Sequence, residues 1–214
     1  MKCPRLNELP PPPPGKSGWP WTEESPPVQA AAPETASWPK IGIVTPSLNQ
    51  GAFLEETLRS VLLQGYPELE YVIVDGGSTD ESIEILRKYE SFLTFWVSEP
   101  DKGHAAAVNK GLEHMPASEI VAYLNSDDVY LPGTVARAVR VFREHPQAGF
   151  LYGDCYCTNA EGRVLSRYSG KPFNLALHVQ ECLVPQPASF IRRSALEQAG
   201  FFDEGVLHCL DYDL

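Results

Sequence analysis

The 214-residue sequence has no apolar run near the roughly 18 residues that a membrane-spanning helix needs. Its opening stretch, MKCPRLNELPPPPPG, has no apolar core of the secretory-signal kind. Cysteine is sparse and scattered: Cys3, Cys155, Cys157, Cys182 and Cys209 form no C-x-x-C pair. That pattern excludes a disulfide framework and a zinc knuckle. Cys155 and Cys157 are two residues apart, which on a strand puts them on one face as small hydrophobes. Basic residues are also short, 17 Lys and Arg against 28 Asp and Glu, for a formal charge of −11. Nucleic acid is thereby excluded as a main partner, because a phosphate backbone needs a basic face. A nucleotide is not excluded, since a metal ion and backbone amides can hold one. A reduced, cytoplasmic protein is expected. The sequence leaves open an association with the inner face of a membrane through a partner or an amphipathic tail.

What the chain does have is a core-forming composition, 43% hydrophobic and 10% aromatic, arranged in two parts. Residues 1–39 carry eleven of the twenty prolines, including the run Pro10 to Pro14. Proline fixes φ and lacks an N–H, so this part reads as an extended, partly polyproline arm. Its Trp19, Trp21 and Trp38 leave two readings, docked or free. Gly15-Lys16-Ser17 is no phosphate loop, because Pro10 stands where the leading glycine belongs and no strand precedes it.

Residues 40–214 read as one α/β domain with an incomplete C-terminal end. Ile41 to Thr45, Leu69 to Val74, Phe92 to Val97 and Ile120 to Leu124 have the short apolar runs of buried strands. Phe53 to Gln64, Ala105 to Leu112 and Thr134 to Phe142 have helical spacing, and Ile83, Leu86 and Tyr89 continue a helix that opens at Ser78. Ser78-Thr-Asp-Glu81 predicts a capping box on the second helix, with Asp80 favouring its positive end. Alternation of strand and helix predicts a mostly parallel sheet covered on both faces. Beyond Gly149 the strands Phe150 to Gly153, Cys155 to Thr158 and Val164 to Tyr168 predict a hairpin-like addition to that sheet. Pro185 to Ile191 is expected to be a strand and Ser194 to Ala199 a short helix. A further helix is expected to begin near Leu214. His114, His145 and His178 are expected at the surface, and His104 in a loop or at a helix start.

In such sheets ligands bind beyond the carboxyl ends of the strands. Those ends are Thr45-Pro46-Ser47-Leu48-Asn49, Asp75-Gly76-Gly77-Ser78, Glu99-Pro100-Asp101-Lys102-Gly103 and Asn125-Ser126-Asp127-Asp128. Asp75, before two glycines, can contact a base or ribose, or cap the next helix. With Ser78 taking the cap, ligand contact is favoured. Asp127 and Asp128 repel each other unless a cation or hydrogen bonds offset them. As hard oxygen donors they suit Mg²⁺ or Mn²⁺ with a substrate phosphate. The bland alternative is an Asp-rich turn before Pro132.

These dispersed motifs, taken in order, resemble those of family 2 glycosyltransferases, whose fold is GT-A. Added to them are Asn109-Lys-Gly111, Tyr152-Gly-Asp154, Pro185-Gln-Pro187, Phe202-Asp-Glu204 and Asp211-Tyr-Asp213. The resemblance spans Ile41 to Leu214. It implies a Rossmann-like GT-A sheet with a β-rich acceptor side. It also implies inverting transfer from a nucleoside-diphosphate sugar, a UDP-sugar favoured, to a glycan or lipid-linked acceptor in polysaccharide synthesis. Thr45, Pro46, Ser47, Asn49, Asp75, Gly76, Asp101, Lys102, Gly103, Asn109, Asn125 and Ser126 would then bind the donor. Asp127 and Asp128 would hold a divalent metal, and Asp211 would be the general base. Two positions depart from the family pattern. Asn125 replaces the first acid of the D-x-D motif, and Leu210 stands where many relatives have glutamate. Two other classes are weighed. A nucleotidyltransferase would need a Gly-rich, basic loop after the first strand, which is missing. A catalytically silent binding module or inactive fragment stays open.

Overall fold

The computed structural model describes residues 3–28 and 37–205. Eight strands and six helices follow in the order β1 (Ile41–Ser47), α1 (Gly51–Leu62), β2 (Leu69–Asp75), α2 (Ser82–Tyr89), β3 (Phe95–Ser98), α3 (His104–Glu113), β4 (Ile120–Tyr123), α4 (Thr134–Glu144), β5 (Phe150–Tyr152), β6 (Cys155–Thr158), β7 (Val164–Tyr168), α5 (Leu175–His178), β8 (Ser189–Arg192) and α6 (Arg193–Ala199). Six strands form one sheet in the order β3-β2-β1-β4-β8-β5. β3, β2, β1 and β4 are parallel, while β8 runs antiparallel between β4 and β5. The register pairs Ser47 with Asp75 and Asp75 with Ser98, so three strands end level.

Strand pleating splits the core in two. Ile41, Ile43, Tyr71, Ile73, Ile120 and Ala122 face one layer, against Leu54 and Leu58 of α1, Leu86 of α2, and Val135, Val139 and Phe142 of α4. Val44, Val72, Val74 and Val121 face the other, against Ala105, Val108 and Leu112 of α3 and Leu196 of α6. At Gly111, α3 touches β1: a Cβ there would lie 2.4 Å from Val44 Cγ1. Gly111→Ala is therefore expected to cost about 1–3 kcal/mol from overpacking, although alanine is the better helix former. A lowered urea midpoint checks this.

Several expectations are corrected. β3 starts at Phe95, because a 3₁₀ turn occupies Glu90–Phe92. Pro185 to Ala188 is not strand: a 3₁₀ turn spans Gln186–Ala188, and β8 begins only at Ser189. Pro187 has no amide for a ladder there. Only β5 of the predicted β-rich addition joins the main sheet, since β6 and β7 pair with each other as a separate hairpin. On that hairpin Cys157 is exposed and Cys155 half-buried, so they are not core hydrophobes. His178 is buried, not at the surface; its Nδ1 accepts from the Leu183 amide at 3.2 Å. The helix expected near Leu214 lies outside the described residues.

The capping box is also absent. α2 begins at Ser82, and the Ser78 hydroxyl donates instead to Asp75. Asp80 takes the helix-end role and extends it. Its carboxylate accepts from the Gly51 amide at 2.9 Å and the Ser82 amide at 3.0 Å, tying the first turns of α1 and α2 together. Partial burial opposes its charge, but the hydrogen bonds from Ser82 and Gly51 outweigh that and hold it below the usual aspartate range. A lowered folded-state pKa adds stability above the ordinary value and loses it as pH falls through the folded one. Asp80→Ala is expected to cost about 1 kcal/mol at neutral pH. The gap to wild type should close as pH falls below the ordinary 3.8. Paired urea titrations at neutral pH and at about pH 3 test the sign.

The arm over residues 3–28 is docked. Cys3, Leu9 and Trp21 are buried. The Cys3, Ser25 and Val28 amides donate to the carbonyls of Tyr66, Leu63 and Gly65, beyond the end of α1. Gly65 is required where the backbones cross: its φ is +65°, and a Cβ would meet Pro26 O at 2.8 Å. Burial pushes the Cys3 thiol up to about 11, leaving it a protonated apolar group.

Candidate active site

β1 leads outward through β2 to β3, while β4 lies on the other side of β1. The crevice beyond the carboxyl ends of β1 and β4 is the switch point, where ligands of open α/β sheets bind. A cavity of about 340 Å³ lies there. Pro46, Ser47 and Leu48 form one wall, Asn125, Ser126 and Asp127 the facing wall, and Asp101, Gly103, His104 and Ala107 the side toward α3. The Ser47 hydroxyl is buried with no protein partner. An unpaired buried hydroxyl is costly unless a ligand or water uses it.

Gly103 has a φ of +112° and caps α3 with its amide turned to Asp101 Oδ1, at 2.8 Å. That turn brings Asp101 and the start of α3 to the cavity. His104 opens the helix, edge-on to Tyr123 with ring centroids 5.5 Å apart. Asp127 is exposed and lines a second cavity of about 230 Å³ on its far side, bounded by Phe53, Glu56 and the tip of the β6–β7 hairpin.

The cavity thus gathers Pro46, Ser47, Asp101, Gly103, Asn125, Ser126 and Asp127 of the predicted site. Thr45, Asn49, Asp75, Gly76, Lys102, Asn109 and Asp128 are not among its lining residues. Asp75 is fully buried and turned inward. Its oxygens accept from Ser78 Oγ at 2.6 Å, Ser98 Oγ at 2.6 Å and the Gly77 and Ser78 amides at 3.1 and 2.8 Å. Four donors fill most of a carboxylate's capacity, so Asp75 ties the β2 and β3 ends together. Gly76 lies beside the cavity wall, because a Cβ there would meet Asp101 Oδ2 at 3.0 Å. Thr45 shares a buried hydrogen bond of 2.9 Å with the Tyr71 hydroxyl. Asn49 (φ +53°) accepts from the Thr79 amide at 2.8 Å and stitches the first two loops together. Asn109 clamps the backbone of Phe202 through both ends of its amide, at 2.8 and 3.2 Å. Asp211 lies outside the described residues. Leu48, Gln50 and Ala107 line the cavity without having been singled out. Nothing in their chemistry marks them, since loop closure alone brings them there.

Among the described residues, no three His, Cys, Asp or Glu side chains gather as a metal cage. The cavity's hard oxygens, from Asp127, Asp101 and Asn125, still fit a Mg²⁺- or Mn²⁺-type ion. Such an ion takes one or two carboxylates and completes its shell with phosphate and water. An apolar cavity of about 370 Å³ between β5, β8 and α6, lined by Phe150, Tyr152, Ile191 and Leu196, has no carboxylate in its wall.

A mostly parallel sheet with a ligand cavity at its switch point, an acid beyond β4 and an antiparallel β8–β5 edge defines a GT-A type α/β protein. The chain superposes on Staphylococcus aureus TarS residues 1–349 in complex with UDP with a TM-score of 0.65 at 24% identity, over 81% of this chain and 53% of that one. It also superposes on the Pyrobaculum calidifontis mannosyltransferase PcManGT, in complex with GDP-Man and Mn²⁺, with a TM-score of 0.61 at 24% identity, over 82% and 50% of the two chains. The Glycosyl transferase family 2 model matches residues 42–200, and the chain belongs to that family. A glycosyltransferase of Mycobacterium tuberculosis is 31% identical over 172 residues, covering 78% of this chain and 64% of its own. TuaG of Bacillus subtilis, a glycosyltransferase named for teichuronic acid biosynthesis, is 32% identical over 148 residues, covering 68% and 55%. The chain therefore spans less than two thirds of these relatives' lengths.

Proposed function

We propose that this protein is a metal-dependent, inverting glycosyltransferase that moves a sugar from a nucleoside diphosphate to an acceptor hydroxyl. The observation that carries the reading is the pairing of two facing walls at the switch point, the unpartnered Ser47 hydroxyl after β1 and Asp127 after β4, in one cavity. Ser47 offers a hydrogen bond to the donor's nucleoside or phosphate. Asp127, with Asp101 and Asn125, would hold the cation, which supplies positive charge beside the departing diphosphate. Asp211 would accept the acceptor's hydroxyl proton, a general-base role typically worth about 10²–10⁴-fold. The acceptor oxygen–C1 bond forms as the C1–diphosphate bond breaks, so one displacement inverts the anomeric centre.

Asp75 acts on the base through the loop it stiffens, with Gly76 beside the cavity wall at Asp101. UDP and GDP-Man in the similar folds, and the teichuronic acid name of one relative, support a nucleotide-sugar donor and a role in surface polysaccharide. A UDP-sugar is the favoured donor, and a glycan or lipid-linked hydroxyl the acceptor. Among the described residues no helix is long and apolar enough to cross a membrane. The reading places the protein on the cytoplasmic side, at the inner membrane face when the acceptor is lipid-linked.

Calorimetry with a panel of sugar nucleotides, with and without Mn²⁺, tests the reading. Binding that strengthens with Mn²⁺, together with release of the nucleoside diphosphate, is expected. Binding without release would favour the silent module, and no binding under either condition overturns the proposal.

A further inference from the structure

The residues 124–133 that carry Asp127 from β4 to α4 hang on a polar stripe of a different helix. Thr57 of α1 directs its hydroxyl at two carbonyls, Ser126 O at 2.9 Å and Asp128 O at 2.8 Å, one on each side of Asp127. Ser60 accepts from the Tyr130 amide at 3.1 Å while donating to Thr57 O at 2.8 Å. Gln64, one turn further, donates to Leu131 O at 3.1 Å and accepts from the Val135 amide at 3.1 Å. All three side chains are fully buried: Thr57 and Ser60 lie one turn apart on α1, and Gln64 follows in the turn just past its end. Buried polar groups are costly unless paired, and apolar residues could fill this space without fixing any carbonyl. The arm grips the far end of the same loop. Trp19 Nε1 donates to Tyr130 O at 2.7 Å, and Ser25 Oγ accepts from the Gly133 amide at 3.0 Å.

We infer that Thr57 is a positioning residue for Asp127, and that the N-terminal arm, through Trp19 and Ser25, is part of the same support. The inference rests on the reading of Asp127 as the cation-holding carboxylate. Fixing the carbonyls before and after a residue fixes the direction of its Cα–Cβ bond. Thr57 thus sets where the Asp127 carboxylate stands in the cavity without touching the ligand.

The test compares Thr57→Val, which keeps the shape and removes the hydroxyl, with Thr57→Ser, which keeps the hydroxyl. Without nucleotide, amide exchange over 125–133 should speed up in Thr57→Val and return toward wild type in Thr57→Ser. With UDP as the probe, the dissociation constant measured by calorimetry in Mn²⁺ should rise about 10-fold or more in Thr57→Val. The metal-free constant should stay at the wild-type value, and Thr57→Ser should restore the metal response. Trp19→Phe should give a smaller rise in the same direction, and it reads the loop from the arm side should Thr57→Val fail to fold. A Thr57→Val protein that melts earlier yet keeps wild-type loop exchange and wild-type Mn²⁺ dependence overturns the inference alone. A wild type that binds no UDP with or without Mn²⁺ removes the transferase reading, and this inference with it.

Discussion

Asp127→Ala is expected to lower sugar transfer by at least about 10²–10³-fold, the usual loss when a preorganised charge-stabilising group is removed. The fold should be unaffected, because Asp127 is exposed and its loop is held through neighbouring backbone. Binding of UDP in Mn²⁺ should fall to the metal-free level, since Asp101 and Asn125 alone present one charge and one neutral oxygen to a cation. Asp211→Asn gives the contrasting result. Transfer is expected to be lost because an amide cannot take the acceptor's proton, while metal-dependent UDP binding is expected to persist. Steady-state transfer assays beside calorimetry separate the two variants. Wild-type turnover by either one removes that residue from the mechanism.

Arg59→Ala is expected to destabilise the whole chain by about 3–5 kcal/mol, a loss characteristic of breaking a buried charged network. Arg59 is fully buried in α1, and among the described residues no carboxylate bonds to it directly. Its guanidinium is solvated by the arm instead. Nη1 donates to Pro10 O at 2.8 Å, Nε to Pro20 O at 3.1 Å and Nη2 to Trp21 O at 2.9 Å. Nη1 also donates to the Tyr89 hydroxyl at 2.9 Å, which in turn donates to Glu55 at 2.8 Å. Truncation leaves three carbonyls and a hydroxyl without their donor and opens a cavity. Each orphaned group adds its desolvation cost. Arg59→Lys keeps the charge but loses the planar fork, and should fall between alanine and wild type. Urea midpoints give the ranking, and protease cleavage within residues 3–28 should speed up in the same order. An Arg59→Ala midpoint equal to wild type would show that the arm's docking adds nothing to stability.

Much of this molecule is legible without coordinates. The alternation of Ile41–Thr45, Leu69–Val74 and Ile120–Leu124 with helical segments yields the parallel part of the sheet, because apolar periodicity is a local property. Asp127 and Ser47 reach the site because strand ends in such sheets face one crevice. The failures have a common cause. Ser78 carries every local mark of a helix cap, but three residues back stands Asp75, a buried carboxylate whose need for donors is greater. Thr57, Ser60 and Gln64 look like ordinary polar residues of a helix, and only their burial shows that they hold a loop some 70 residues on.

Sequence alone determined most of the strands and helices, the family, and which acids stand at strand ends, since each follows from neighbours in the chain or from ordered motifs. Tertiary structure decided which of those acids turn outward, that the proline-rich arm packs around Arg59, and that β6 and β7 leave the main sheet. Those outcomes depend on which donors and acceptors from distant segments are left to be satisfied once the layers close, and no local pattern encodes that.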